Sequence, residues 1–284
     1  MTHATTGDLV AAAVSDHSSV LALNVITLEH AEAIVGAASQ SGRSLVLQLS
    51  QNAITYHGGA GPVTRAVHAL AEDAPVPLAV HLDHLTDPAL VSSVVDGPLR
   101  PLVGSLMYDG GALAHAENLA ATREVSDAAH ASGLWVEAEL GHVGGKPGAP
   151  RSAHAPGVRT DPDEAADFVA ATRVDALAVA VGSSHAMTEQ TAVLDHDLIR
   201  RLAERLPVPL VLHGSSGVPD DQLLRAVAAG IRKVNVGTAL NVALTTSLRA
   251  SLAADPTLTD PRRYLAPGRT AMRDAVLHLL DLMD

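Results

Sequence analysis

The chain has 284 residues, 31 acidic against 19 basic for a net charge of −12, and is 47% hydrophobic but only 2% aromatic. The acidic surplus is spread without a basic block, which argues against a nucleic-acid surface, and no apolar run reaches membrane-spanning length, so the chain reads as soluble and cytoplasmic. With no cysteine, disulfides and thiolate ligands are excluded, and any transition metal must use carboxylates and the 15 histidines.

A core so poor in rings has to be built from Ala, Val and Leu at helix-to-strand contacts, which favours α/β layers over a β-sandwich. Short apolar runs predict strands at 21–25, 45–50, 78–83, 102–107, 134–140, 176–182, 210–214 and 233–237. Segments of helical period fall near 28–40, 61–72, 88–95, 112–131, 161–172, 195–205, 219–229 and 239–254. Eight such units predict one (β/α)8 TIM barrel using the whole chain. Asp87-Pro88, Asp161-Pro162 and Val218-Pro219-Asp220 place proline in first helical turns, and Gly133 closes the helix at 112–131. A C-terminal amphipathic helix is expected at 270–283, with Met272, Val276, Leu279, Leu280 and Met283 on one side. Residues 141–157, GHVGGKPGAPRSAHAPG, hold five glycines and three prolines and predict a mobile loop over the strand ends.

In this fold class chemistry sits where strands finish. VHLDHLT at 80–86 puts Asp83 and His84 at the end of the third strand. Asp109 closes the fourth, Glu137 and Glu139 lie on the fifth, His185 closes the sixth, His213 the seventh and Asn235 the eighth; Asn24 and Ser50 complete the ring. His84, His185 and His213 would then face one another, three nitrogen ligands with an open position, which suits a catalytic zinc. Any one of them alone reads more readily as a core or capping histidine; three at successive strand ends argue against that. Strand alternation puts His81 and Asp83 on one face and His84 on the other, so His84 must lie where the backbone turns, and His81 reads as structural. Asp83 suits general acid–base work or the orientation of a ligating imidazole. Glu137 and Glu139 share a face, either inward or ion-paired.

HGSSG at 213–217 and NVGTAL at 235–240 each follow an apolar strand and precede a helix, offering backbone N–H groups to an anion at the position where this fold binds phosphate. Cleavage of a carbon–carbon bond in a keto sugar needs an electron sink, either a lysine Schiff base or a metal ion. The chain has two lysines: Lys146 in the glycine loop and Lys233, read as opening its strand at the wrong end. The metal route is favoured.

The ordered set LAVHLDH, LVGSLMYDGG, LWVEAELGHVGG, ALAVAVGSSH, LVLHGSSGVPDD and KVNVGTALN is similar to the class II, zinc-dependent ketose-bisphosphate aldolases, the fructose- and tagatose-bisphosphate group, from about residue 20 to DPRRYLAPGR at 260–269. The resemblance implies that His84, His185 and His213 bind zinc, that Asp109 and Glu139 match an alternative metal position, and that Asp83 exchanges the C4 hydroxyl proton. It further implies that Gly214, Ser216, Asn235, Gly237 and Thr238 hold a dihydroxyacetone-phosphate moiety, that a monovalent cation (Na+ or K+) lies near that phosphate, that the chain forms a homodimer or homotetramer, and that Arg269 reaches a neighbouring subunit's site. Two places depart from the family pattern. Lys146-Pro147-Gly148 stands where relatives carry an acidic loop residue, and His185-Ala186 replaces the usual His-Gly.

The expected function is metal-dependent aldol cleavage and condensation of a phosphorylated ketose resembling fructose 1,6-bisphosphate, giving dihydroxyacetone phosphate and an aldehyde. The loop departure leaves two alternatives open: a different phosphorylated ketose or keto-deoxy sugar-acid phosphate as substrate, or a non-catalytic zinc-containing sugar-phosphate binding protein.

Overall fold

Alternation along the short apolar runs leaves each strand one face for helices and one for the inside of a closed ring. The computed structural model describes residues 4–141, 143 and 159–283. Its strands are β1 (Val20–Asn24), β2 (Leu45–Ser50), β3 (Leu78–Leu85), β4 (Ser105–Tyr108), β5 (Trp135–Leu140), β6 (Ala176–Val179), β7 (Leu210–Leu212) and β8 (Ile231–Val236). Each pairs in parallel with the next, and β8 returns to β1 to close the barrel, the (β/α)8 architecture expected. The helices are α1 (Thr6–Ser15), α2 (Leu28–Ser41), α3 (Gln51–Tyr56), α4 (Ala60–Glu72), α5 (Pro88–Val95), α6 (His115–Ala131), α7 (Pro162–Thr172), α8 (His196–Arg205), α9 (Asp220–Ala229), α10 (Thr238–Ala254) and α11 (Pro261–Leu282).

The main core lies between strands and helices, where Leu23, Leu47, Leu82, Leu106, Leu177 and Leu212 meet Ile34, Phe168, Ile199 and Leu202. Inside the ring the side chains are small or polar. Val20, Ala22, Val46 and Ala79, near the strand starts, pack on Val10 of α1, so this first helix plugs that end of the barrel. It was not among the predicted elements, although Thr5 and Asp8 form a capping box at its start. Its Thr6 hydroxyl meets the Ser105 hydroxyl inside the ring at 2.5 Å, a contact between residues 99 apart.

Several boundaries move, each for a local reason. Arg100–Leu102 forms a 3₁₀ turn, and β4 begins only at Ser105 after Gly104. The C-terminal helix starts at Pro261, well before 270, because Asp260 Oδ1 accepts from Arg262 N (3.0 Å) and Pro261 needs no donor partner in the first turn. The register of β8 extends back to Ile231, so Lys233 pairs with Val20 and Val211 in mid-strand and does not open the strand. Of the loop expected at 141–157, only Gly141 and Val143 are among the described residues. Among these residues no helix is long and apolar enough to cross a membrane.

Gly230, between α9 and β8, has φ +130°, and a Cβ there would stand 2.4 Å from Ala203 Cβ. That region is closed to L side chains and the neighbouring helix is fixed. Gly230→Ala should cost about 2–4 kcal/mol from backbone strain and overpacking together, read as a lower urea midpoint with unchanged m-value.

Candidate active site

The groups at the strand ends converge on one cleft. A regular strand would turn Asp83 and His84 to opposite faces, but the register of β3 against β4 shifts between Leu82 and Leu85, and His84 adopts φ +53°. Both side chains therefore line the cleft. His213 follows β7 directly, and the next position must be glycine: Gly214 has φ +67°, and a Cβ there would meet the Ser184 carbonyl oxygen at 2.6 Å. His185 lies on a turn beyond β6, which ends at Val179, three residues short of the strand expected from sequence.

The three imidazoles face one another edge to face, with centroids 5.3 Å (His84–His185), 4.9 Å (His84–His213) and 5.7 Å (His185–His213) apart. Ligand atoms of His84, His185, His213 and Glu139 all lie within 4.8 Å of one another. Three nitrogens and a carboxylate are a donor set that fits zinc or a similar divalent ion. Asp109 stands behind this group: its Oδ2 is 3.0 Å from His84 Nδ1, and its Oδ1 accepts from Gly111 N. A carboxylate can only accept, so His84 Nδ1 carries the hydrogen and Nε2 is left with the lone pair.

Asp83 is 2% exposed; its Oδ2 lies 3.8 Å from His84 Nε2, and its Oδ1, without a hydrogen-bond partner, lies 3.9 Å from His81 Nε2. His81 is fully buried, its Nδ1 bonded to Ser105 Oγ (2.8 Å) and thereby linked to Thr6. Burial first, then the nearby Lys233 charge, hold its pKa well below the usual 6.5, so the ring stays neutral.

The cleft, about 610 Å³ including its open mouth, is lined by Asn24, Ser50, Asp83, His84, His185 and His213, and on its other side by Gly214, Ser216, Asn235, Gly237 and Thr238. Ala186 lines it too, as do Gln48, Ser184 and Asn241, which were not singled out from sequence. Asn24 is fixed by Gln48, whose side-chain amide donates to Asn24 Oδ1. The Ser50 hydroxyl caps α3, accepting from Ala53 N (3.2 Å). Ser216 Oγ accepts from Gly237 N (3.4 Å) and Ala239 N (3.0 Å), tying the glycine turn after β7 to the start of α10. No lysine or arginine lines the cleft among the described residues, so an anion bound there would rely on the amides of these two turns. Arg269 is elsewhere in this chain: on α11, paired with Glu32 of α2. Lys146 lies outside the described residues.

Ala186, which stands where the resemblance expects glycine, has φ +59°. The backbone keeps a glycine-like path at a cost of about 1–2 kcal/mol for an L residue. Ala186→Gly should therefore leave urea stability equal or higher, by less than about 1 kcal/mol once the extra unfolded-chain entropy is counted, while Ala186→Val should lower it.

The neutral His81 gives a second prediction, with the sign set by its lowered pKa. Below pH 6.5 the unfolded chain binds a proton that the folded ring refuses, so stability is full above 6.5 and falls as pH drops. In metal-free protein, His81→Gln should flatten the loss between pH 6.5 and 5 by up to about 1.4 kcal/mol per pH unit, measured by urea melts across that range.

Comparison with known proteins agrees with this geometry. The family model "Fructose-bisphosphate aldolase class-II" matches residues 4–284. The chain is 36% identical over 284 residues to the fructose-bisphosphate aldolase of Thermus caldophilus, covering 92% of this chain and 91% of that one. It is 34% identical over 258 residues to the D-tagatose-1,6-bisphosphate aldolase subunit GatY of Klebsiella oxytoca, covering 91% and 89%. The crystal structure of the YdjI aldolase from Escherichia coli K12 superposes with a TM-score of 0.82 at 26% identity, covering 99% of this chain and 97% of that one. A closed parallel barrel, a histidine group at its strand ends and a match along almost the entire length lead to one conclusion: the chain belongs to the class-II fructose-bisphosphate aldolase family and is a carbon–carbon lyase of the aldolase type.

Proposed function

We propose that the protein cleaves a phosphorylated ketose reversibly between C3 and C4, giving dihydroxyacetone phosphate and an aldehyde, with a divalent cation held by His84, His185 and His213. Zinc is the first candidate, because neutral imidazoles outnumber carboxylates in the donor set. The observation that carries this reading is the convergence of those three rings and Glu139 within 4.8 Å, beside the buried Asp83. When bound, the cation supplies a Lewis acid that polarises the ketone and stabilises negative charge on its oxygen.

The chain's own residues supply the rest. Asp83 takes the C4 hydroxyl proton as the C3–C4 bond breaks and returns it in condensation. The amides after β7 and β8, tied together by Ser216, hold the phosphate without a basic side chain, which suits a chain with net charge −12. Asp109 keeps His84 in the tautomer that presents Nε2. Two of the relatives are named for fructose and tagatose bisphosphates, sugars that differ only in configuration at C4, and both are first candidates here.

Treatment with a chelator should abolish cleavage and zinc should restore it. His84→Ala should lose both metal and activity, and Asp83→Asn should keep the metal while kcat falls about 10²–10⁴-fold. Cleavage that survives metal removal, or an unaltered kcat in Asp83→Asn, would contradict the proposal. Steady-state kcat/KM across the two bisphosphates and a keto-deoxy sugar-acid phosphate ranks the substrates.

A further inference from the structure

Lys233 is one of two lysines in the chain and is wholly buried, together with Glu137 and His213. Burying an ammonium and a carboxylate carries a desolvation cost that their attraction at best offsets, so apolar side chains of similar volume could replace the pair with little loss of stability. An apolar pair could not orient its neighbours. Lys233 Nζ donates to Glu137 Oε2 and to Asn235 Oδ1, both at 2.8 Å. An ammonium has only hydrogens to give, so Asn235 must turn its oxygen to Lys233, leaving its amide nitrogen on the His213 side, 3.0 Å from Nε2. Nε2 cannot serve both neighbours, since the Asn235 amide only donates and the Glu137 carboxylate, held by Lys233, only accepts. The shorter, charge-assisted contact decides, Glu137 Oε1 at 2.9 Å against Glu139 at 3.4 Å from Nδ1, so Nε2 carries the hydrogen and the Asn235 amide makes no bond to it. The lone pair is then on Nδ1, the nitrogen facing Glu139 at 3.4 Å and thus the group containing His84 and His185.

We propose that Lys233 is a positioning residue: acting through Glu137, it fixes the tautomer and rotation of His213 so that Nδ1 is presented to the divalent cation, and it sets the facing of Asn235 in the same stroke. The inference rests on the metal reading above. It gives the buried lysine a function other than Schiff-base chemistry.

The test is a double-mutant cycle on metal-stripped protein, with zinc affinity measured by competition against a chromophoric chelator and thermal melting of each apo form in parallel. Lys233→Met and Glu137→Gln should each weaken zinc binding about tenfold or more, and the double variant should bind no more weakly than the worse single. The double variant removes both buried charges, so its apo form should melt close to wild type, separating positioning from loss of fold. Wild-type zinc affinity in the double variant overturns the proposal even if neither single variant folds. Additive losses overturn action through Glu137. Wild-type protein that takes up no zinc overturns the metal reading itself, and this inference with it.

Discussion

Successive side chains of a strand point to opposite faces, and the site depends on breaking that constraint at a single residue. At His84 the backbone leaves the extended region for φ +53°, and the register of β3 slips against β4. Asp83 keeps the inward direction of His81, while His84 swings to the same cleft to meet His185 and His213. A carboxylate and an imidazole on consecutive residues can then serve one reacting centre. A non-glycine residue in this conformation costs about 1–3 kcal/mol and persists only where surrounding contacts over-determine it; here the Asp109 carboxylate on Nδ1 supplies one such contact.

The same barrel departs from the usual filling of large branched residues. The layer against α1 is apolar, but the ring also buries Gln48, His81, Ser105, Glu137, Lys233 and Asn235. Alanines on β6, Ala176 and Ala178, stay small beside this polar set. Buried polar groups gain most from one another in a medium of low dielectric constant; the bonds from Lys233 to Glu137 to His213 join strands far apart in sequence, and that from Ser105 to His81 joins the neighbouring strands β3 and β4. The plug helix contributes through Thr6, so the end of the barrel remote from the cleft is connected by hydrogen bonds to the residue behind Asp83.

The barrel was legible because eight apolar runs alternate with helical segments, and the histidine group because imidazoles are unusual at strand ends. Even the turn at His84 followed from alternation alone. Lys233 was misread because β8 starts two residues earlier than its apolar pattern suggests, and that offset moves a lysine from the rim to the interior. Helix α1 was missed although its capping box is local, since its purpose is a contact with Ser105, 99 residues away. The placement of Asp109 behind His84, the left-handed Ala186 and the pairing of Arg269 with Glu32 are set by tertiary packing and leave no mark in residue type.

The central claim is that three imidazoles from three strand ends share one divalent ion. X-ray absorption at the zinc edge of the zinc-loaded protein tests it most directly. The account predicts scattering from three imidazole nitrogens at about 2.0–2.1 Å; a shell of oxygens alone, or one imidazole among waters, would contradict it.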